Sequence, residues 1–165
     1  MATRTVRTVF TTPAGYFLTF RCYGTWLPGD ERGTIHSTTN EYGTAMLPPS
    51  PRLEDFAAQS LSTAPILLNA AERRVVSAAI QELCEYRDWP LHAENARSNH
   101  VHVVLTCDAA PEKALNEIKS WCTRRLREQG LRQHGKPVWG KGGSRRYLWT
   151  APDVATACRY VLEEQ

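Results

Sequence analysis

Apolar and polar positions fall into blocks of different period along the chain, and each block predicts an element. Tyr16-Phe17-Leu18-Thr19-Phe20-Arg21-Cys22-Tyr23 is aromatic-rich and reads as a buried first strand, closed by Gly24. Before it, Thr3 to Thr12 is rich in Thr and Val and fits either an arm or an extra strand. After it, residues 24–65 are dense in Gly, Pro, Ser and Thr with no sustained period, apart from a short helix near Leu53 to Ala58. A segment that long in a small domain tends to be functional or mobile. A helix then runs from Asn69, its N-cap, to Arg87, with Val75, Val76, Ala79, Ile80 and Leu83 on one face and Pro90 past its end. Leu91 to Arg97 and Val101 to Thr106 predict two strands joined by Ser98-Asn99, with His100 opening the second. A second helix spans Pro111 to Glu128, proline in its first turn and Leu115, Ile118, Cys122 and Leu126 at helical spacing. Arg146 to Trp149 predicts a fourth short strand, and a last helix starts near Pro152-Asp153 and runs to the chain end. The order β-α-β-β-α-β-α predicts an α+β fold of ferredoxin-like, split βαβ type: an antiparallel sheet with an additional C-terminal helix.

A length of 165 residues supports one domain, 1–165, with 24–65 as a long loop insertion, and is too short for two ordinary ones. Hydrophobic residues at 42%, charged residues at 22% and a mean hydropathy of −0.43 exclude disorder as a whole. No apolar run approaches the roughly 20 residues that cross a bilayer, and Met1-Ala2-Thr3-Arg4 leads to no signal-peptide core. The expected place is therefore a bacterial-type cytoplasm, at the nucleoid, with no membrane partner. Five cysteines, odd in number and without a CxxC pair, predict buried thiols rather than a disulfide framework or a zinc site.

Charge changes the picture. The net is only +3, but 16 of the 20 basic residues are arginine, the side chain better suited to planar phosphate recognition. Nine basic residues against Glu128 alone lie between Lys119 and Arg146, a local +8 that leaves −5 for the rest of the chain. The asymmetry predicts an anionic partner, although a solvated basic helix and loop would look the same. The head of the long segment, Gly24-Thr25-Trp26-Leu27-Pro28-Gly29-Asp30-Glu31-Arg32-Gly33, reads either as a ligand-facing loop or as a loop pinned by Trp26 in the core.

His100-Val101-His102 sets two imidazoles at i and i+2 of a strand, on one face, where they can grip one metal ion. On the last helix Tyr160 and Glu164 stand at i and i+4, a phenol and a carboxylate on the same side. Taken singly, each pattern also fits a plainer reading: two partly exposed histidines, and a half-buried packing tyrosine.

Together these residues resemble a known family. Ser98-Asn99-His100-Val101-His102-Val103-Val104 looks like the HUH motif of single-strand DNA nucleases, and Arg159-Tyr160-Val161-Leu162 like the helix that bears their single catalytic tyrosine. The chain most resembles the REP-associated tyrosine transposases and their insertion-sequence relatives. The likeness extends through Tyr23 to Gly33, the basic helix, and Gly143-Ser144-Arg145-Arg146-Tyr147-Leu148-Trp149. It implies a metal-dependent single-stranded DNA endonuclease and strand transferase. Tyr160 would be the nucleophile that forms a 5′-phosphotyrosine, and His100, His102 and Glu164 the ligands of Mg²⁺ or Mn²⁺. Insertion-sequence members carry Gln where this chain has Glu164. The DNA contacts would come from Arg21, Lys119, Arg124, Arg125, Lys141, Arg145 and Arg146, with Trp149 or Trp26 stacking on bases, although tryptophans more often pack in cores. The implied partner is a DNA hairpin with a flanking single strand. Some relatives exchange the tyrosine helix between two subunits of a homodimer, and others work as monomers.

Two other classes compete. A domesticated module would bind hairpin or single-stranded nucleic acid without cutting it. A phosphoesterase acting on small nucleotides calls for a second His-x-His pair, and the chain has only the one. In a chain this short, recognition and chemistry are expected to share one face. The last helix, ending without a C-cap and with carboxylates at its C-terminus, must dock on something or continue into a tail.

Overall fold

In a computed structural model, residues 12–33 and 45–163 of the chain are described. Apart from Thr12, the arm or strand expected at the N-terminus lies outside them, as does the expected metal ligand Glu164. Strand β1 (Gly15–Arg21) lies between β3 (His100–Leu105) and β4 (Ser144–Leu148), and β2 (Leu91–Ala96) completes a four-stranded sheet beyond β3. All three pairings are antiparallel, so β1 and β2 run parallel with β3 between them, and β3 and β4 run parallel with β1 between them. Two βαβ units thus interleave, as the element order predicts.

Helix α1 (Pro51–Gln59) sits in the long segment and buries no residue. The crossover helices α2 (Ala70–Tyr86) and α3 (Pro111–Glu128) both cover one face of the sheet, and α4 (Ala151–Glu163) covers the other. Period two in the strands sorts the side chains between these layers. Tyr16, Leu18 and Phe20 of β1 and Val101, Val103 and Leu105 of β3 meet Val76, Ala79, Ile80, Leu83, Leu115, Ile118, Cys122 and Leu126 in the main core. At about 1.5–3 kcal/mol for each large aliphatic or aromatic side chain, this cluster is the chief favourable term in folding. A smaller cluster of Phe17, Ala93, Val104 and Leu148 receives Val154, Ala157, Cys158 and Val161 of α4. That docking is one of the two outcomes expected for the last helix, the other being a continuing tail.

Helix bounds follow their local signals. Asn69 closes a capping box with Glu72, each side chain accepting the other's backbone N–H at 2.9 Å. Buried Glu72 also pairs with Arg132 at 2.6 Å, tying the loop after α3 to the start of α2. Asp88, in the left-handed region at φ 53°, stops α2 before Trp89 and Pro90. The strands shift slightly from expectation. Strand β1 leaves the sheet after Arg21, with Cys22 making an isolated bridge to Trp139, and β4 starts at Ser144 because it pairs there with Thr19. Cys22, Cys84 and Cys122 are buried, and burial pushes the Cys84 thiol up to about 11. No helix among the described residues is long and apolar enough to cross a membrane.

Candidate active site

Alternation along β3 turns Val101, Val103 and Leu105 into the main core and leaves His100, His102 and Val104 on the α4 side. The two imidazoles meet Nε2 to Nε2 at 3.0 Å, and their other nitrogens are held. His100 Nδ1–H donates to Asn99 Oδ1 at 2.7 Å, which leaves the lone pair of the neutral ring on Nε2. His102 Nδ1 meets the hydroxyl of Thr19 at 2.8 Å, Thr19 being its cross-strand partner on β1. Burial, His100 and Arg97 push the His102 imidazole down to about 4, and burial with Arg97, Arg21 and Arg32 lowers His100. Both rings are therefore neutral near pH 7, the form that ligates metals. Ligand atoms at right angles around an ion with bonds of about 2.1 Å stand about 3.0 Å apart. The separation of the two Nε2 atoms fits that requirement. Among the described residues no group of three His, Cys, Asp or Glu assembles around them.

Helix α4 brings Tyr160 to this pair. Ala157 and Val161 point into the small cluster, and Asn95 of β2 donates to the Val161 carbonyl at 3.0 Å, setting the helix against the sheet. One position before Val161, Tyr160 lies with its ring 5.8 Å from His102 and 5.9 Å from Phe17, and Phe17 lies 5.4 Å from His102. Tyr160 is 42% exposed, so its side chain is accessible from outside. A hydrophobic floor, two neutral imidazoles and an accessible phenol thus converge from β1, β3 and α4 of one chain.

The family model for "Transposase IS200 like" matches residues 65–161, a span that contains both histidines and the tyrosine. The chain belongs to the IS200-like transposase family. A solved structure described as a REP-associated tyrosine transposase bound to a REP hairpin is similar at 14% identity and a TM-score of 0.48, covering 98% of this chain and 70% of that one. No curated protein matches the chain.

The cations of the chain are distributed differently from the expectation of one shared face. Helix α3 lies across the sheet from the histidines, because both βαβ crossovers put their helices on the main-core face. Arg125 is bound there to Glu82 and Glu128, and its pair with Glu82 clamps α3 to α2. Lys119 donates to the carbonyls of Gly140 and Gly142 at 2.7 and 3.0 Å and pins the Gly-rich loop. Arg145 pairs with Glu112 of α3 at 3.1 Å. Arg124 lies over the Trp121 ring at 4.0 Å and lines a groove of about 640 Å³ with Arg127, His134 and Lys136. Lys141 is exposed on the Gly-rich loop. Arg146 alternates to the α4 side of β4, next in register to Phe17. Trp149, for which stacking on bases and packing in a core were the two readings, is 42% exposed and stacks on Tyr147 at 5.6 Å and 17°.

Around the histidines the cations come from elsewhere. Arg21 is the cross-strand partner of His100, and its guanidinium lies 3.4 Å from the centre of the Trp26 ring. Arg32 approaches the same ring at 4.6 Å. Trp26 is thus neither in the core nor an open stacking surface. Arg97 and Thr19 carry no motif signal and were not anticipated, whereas Arg32 belongs to the loop of residues 24–33, for which a ligand-facing role was one of two readings. The alternation of His100 and His102 against Val101, Val103 and Leu105, combined with the handedness of the crossovers, is the sequence signal that separates their face from α3.

Proposed function

We propose that the chain cuts and rejoins single-stranded DNA by transesterification through Tyr160. The observation that carries this reading is the approach of the Tyr160 ring to within 5.8 Å of His102, inside the segment that matches the transposase family. The Tyr160 oxygen attacks the scissile phosphorus, the bond from phosphorus to the 3′-oxygen breaks, the phenol loses its proton and the 3′-oxygen gains one. The products are a 5′-phosphotyrosine and a 3′-hydroxyl. Because the ester bond is conserved, a 3′-hydroxyl of another strand reverses the step and joins DNA without ATP. Thr19 and Asn99 orient the imidazoles, and the Phe17 floor keeps water from one side of the pair. A bound Mg²⁺ or Mn²⁺ supplies polarisation of a phosphate oxygen. His100 and His102 are proposed to hold it, with Glu164 as a third ligand. The proposed substrate is a hairpin with a flanking single strand.

The test is incubation with single-stranded hairpin DNA and Mg²⁺ or Mn²⁺, followed by detection of a covalent protein–DNA adduct. An adduct that disappears in Tyr160→Phe is expected. Cleavage retained in that variant would sink the tyrosine mechanism, and binding without an adduct would leave a non-cleaving binding module.

A further inference from the structure

We propose that Arg21, held over the Trp26 ring, is the group that receives a backbone phosphate of the single strand beside the histidine pair, and that Trp26, Arg32 and Asp30 are positioning residues for it. The proposal rests on the reading of the chain as a single-strand transferase and adds to it where the strand is gripped.

The sequence of the loop builds the platform in a few residues. Asp30, 6% exposed, takes the Arg32 backbone N–H at 2.9 Å and the Arg32 Nε and Nη2 at 2.7 and 2.5 Å, a fork held in one plane. The Trp26 Nε1–H donates to the Gly33 carbonyl at 2.9 Å, so the indole is tethered at its edge while two guanidiniums approach its ring. Arg32 and Arg21 therefore differ. Arg32 is neutralised by Asp30, whereas among the described residues the Arg21 guanidinium meets the Trp26 ring and no hydrogen-bond acceptor.

Two like charges against one ring repel each other, and the arrangement leaves Arg21 with a surplus positive charge and a full set of N–H donors. An arginine stacked on an aromatic face has its donors directed outward in the ring plane, the geometry that pairs bidentately with a phosphate. Its place is set by the sheet: Arg21 is opposite His100 in register, on the face that carries Thr19 and Phe17. A phosphate on Arg21 would thus sit beside the imidazoles and on the path to Tyr160, while the arginines of α3 lie behind the sheet.

The experiment measures binding of unpaired single-stranded DNA over a range of salt, in a Tyr160→Phe background so that no chemistry intervenes. Arg21→Gln should weaken binding roughly tenfold or more and reduce the salt slope by about one. Trp26→Leu should weaken it roughly threefold to tenfold, and Arg21→Gln/Trp26→Leu should be no weaker than Arg21→Gln alone, because the ring acts through the arginine. Asp30→Asn should lie on the Trp26→Leu side of that cycle. Thermal midpoints of all variants report folding separately, and Arg21→Lys, which keeps the charge, should recover the salt slope. An unchanged slope in Arg21→Gln, or full additivity of the Arg21 and Trp26 effects, overturns the proposal. Failure of the wild type to form a DNA adduct would instead count against the transferase reading and leave these binding results standing.

Discussion

Thr19 and Asn99 decide which nitrogen each histidine offers. With Asn99 Oδ1 on Nδ1 of His100 and the Thr19 hydroxyl on Nδ1 of His102, the two Nε2 atoms face each other. Partners of this kind typically hold a factor of about 10–100 in metal affinity. Thr19→Val should accordingly weaken Mn²⁺ binding by about tenfold or more while leaving the fold intact, which titration calorimetry and a thermal melt check together. The same pair carries a pH dependence. His102 titrates at about 4 in the folded chain against an ordinary value of 6.5, so below pH 6.5 the unfolded chain takes up the proton first. Stability is complete above that pH and is lost as pH falls from 6.5 towards 4. Thermal midpoints across this range should fall, and His102→Gln should flatten the fall; an equally steep decline in the variant would assign the loss to other groups. Tyr160, by contrast, owes its place to its neighbour. It is Val161, buried among Ala93, Val104 and Leu148, that anchors the turn on which the phenol stands exposed.

Elements with strong local signals were legible in the sequence to within a residue or so. The Asn69-x-x-Glu72 box and Pro111 mark the starts of α2 and α3, and their apolar stripes are the ones that pack. The strands were less well bounded, because β1 ends at Arg21 opposite His100 of β3 and β4 begins at Ser144 opposite Thr19 of β1, registers between distant parts of the chain that no local pattern encodes. The basic character of α3 was legible too, but its partners were not. Arg125 meets Glu82 of α2, and Arg145 meets Glu112, so a charge run read as a phosphate surface is partly an internal ion-pair lattice. Arg125→Gln should therefore lower the thermal midpoint and leave DNA affinity nearly unchanged, whereas Arg124→Gln should do the reverse; a large loss of DNA affinity in Arg125→Gln would restore the sequence expectation. The loop after β1 holds a sharper constraint. Gly29 is at φ 92°, and a β-carbon there would collide with the Ser50 carbonyl and lie 2.7 Å from the Glu54 backbone nitrogen. Gly29→Ala should cost about 2 kcal/mol or more, read as a lower thermal midpoint.

At the scale of the whole molecule, the sheet divides the chain into a side that carries the main core and a side that carries the histidines and Tyr160. The large core under α2 and α3 secures the strands, and the thinner layer under α4 leaves room for the histidines, Tyr160, Arg21 and the Arg32 loop. The order of elements made the first layer legible in the sequence; the second needed the sheet order β2-β3-β1-β4, which brings His100 beside Arg21 and His102 beside Thr19. That arrangement bears on whether the tyrosine helix serves its own histidines or those of a second copy. Within one chain α4 reaches the sheet through a link of only Trp149 and Thr150 after β4, and Asp153 accepts the backbone N–H groups of both residues at 3.2 and 3.0 Å. Exchanging the helix would require undoing that cap, the Asn95 bond to Val161 and the small cluster together, with a connection too short to span far. The tyrosine should thus act in cis. Mixing Tyr160→Phe chains with His102→Ala chains should restore no adduct-forming activity, at any ratio and after unfolding and refolding together, while each mixed with wild type dilutes the activity in proportion. Recovery in the mixed mutants to about a quarter of wild type, the share expected when subunits of a dimer exchange helices at random, would show instead that the helix crosses to a partner.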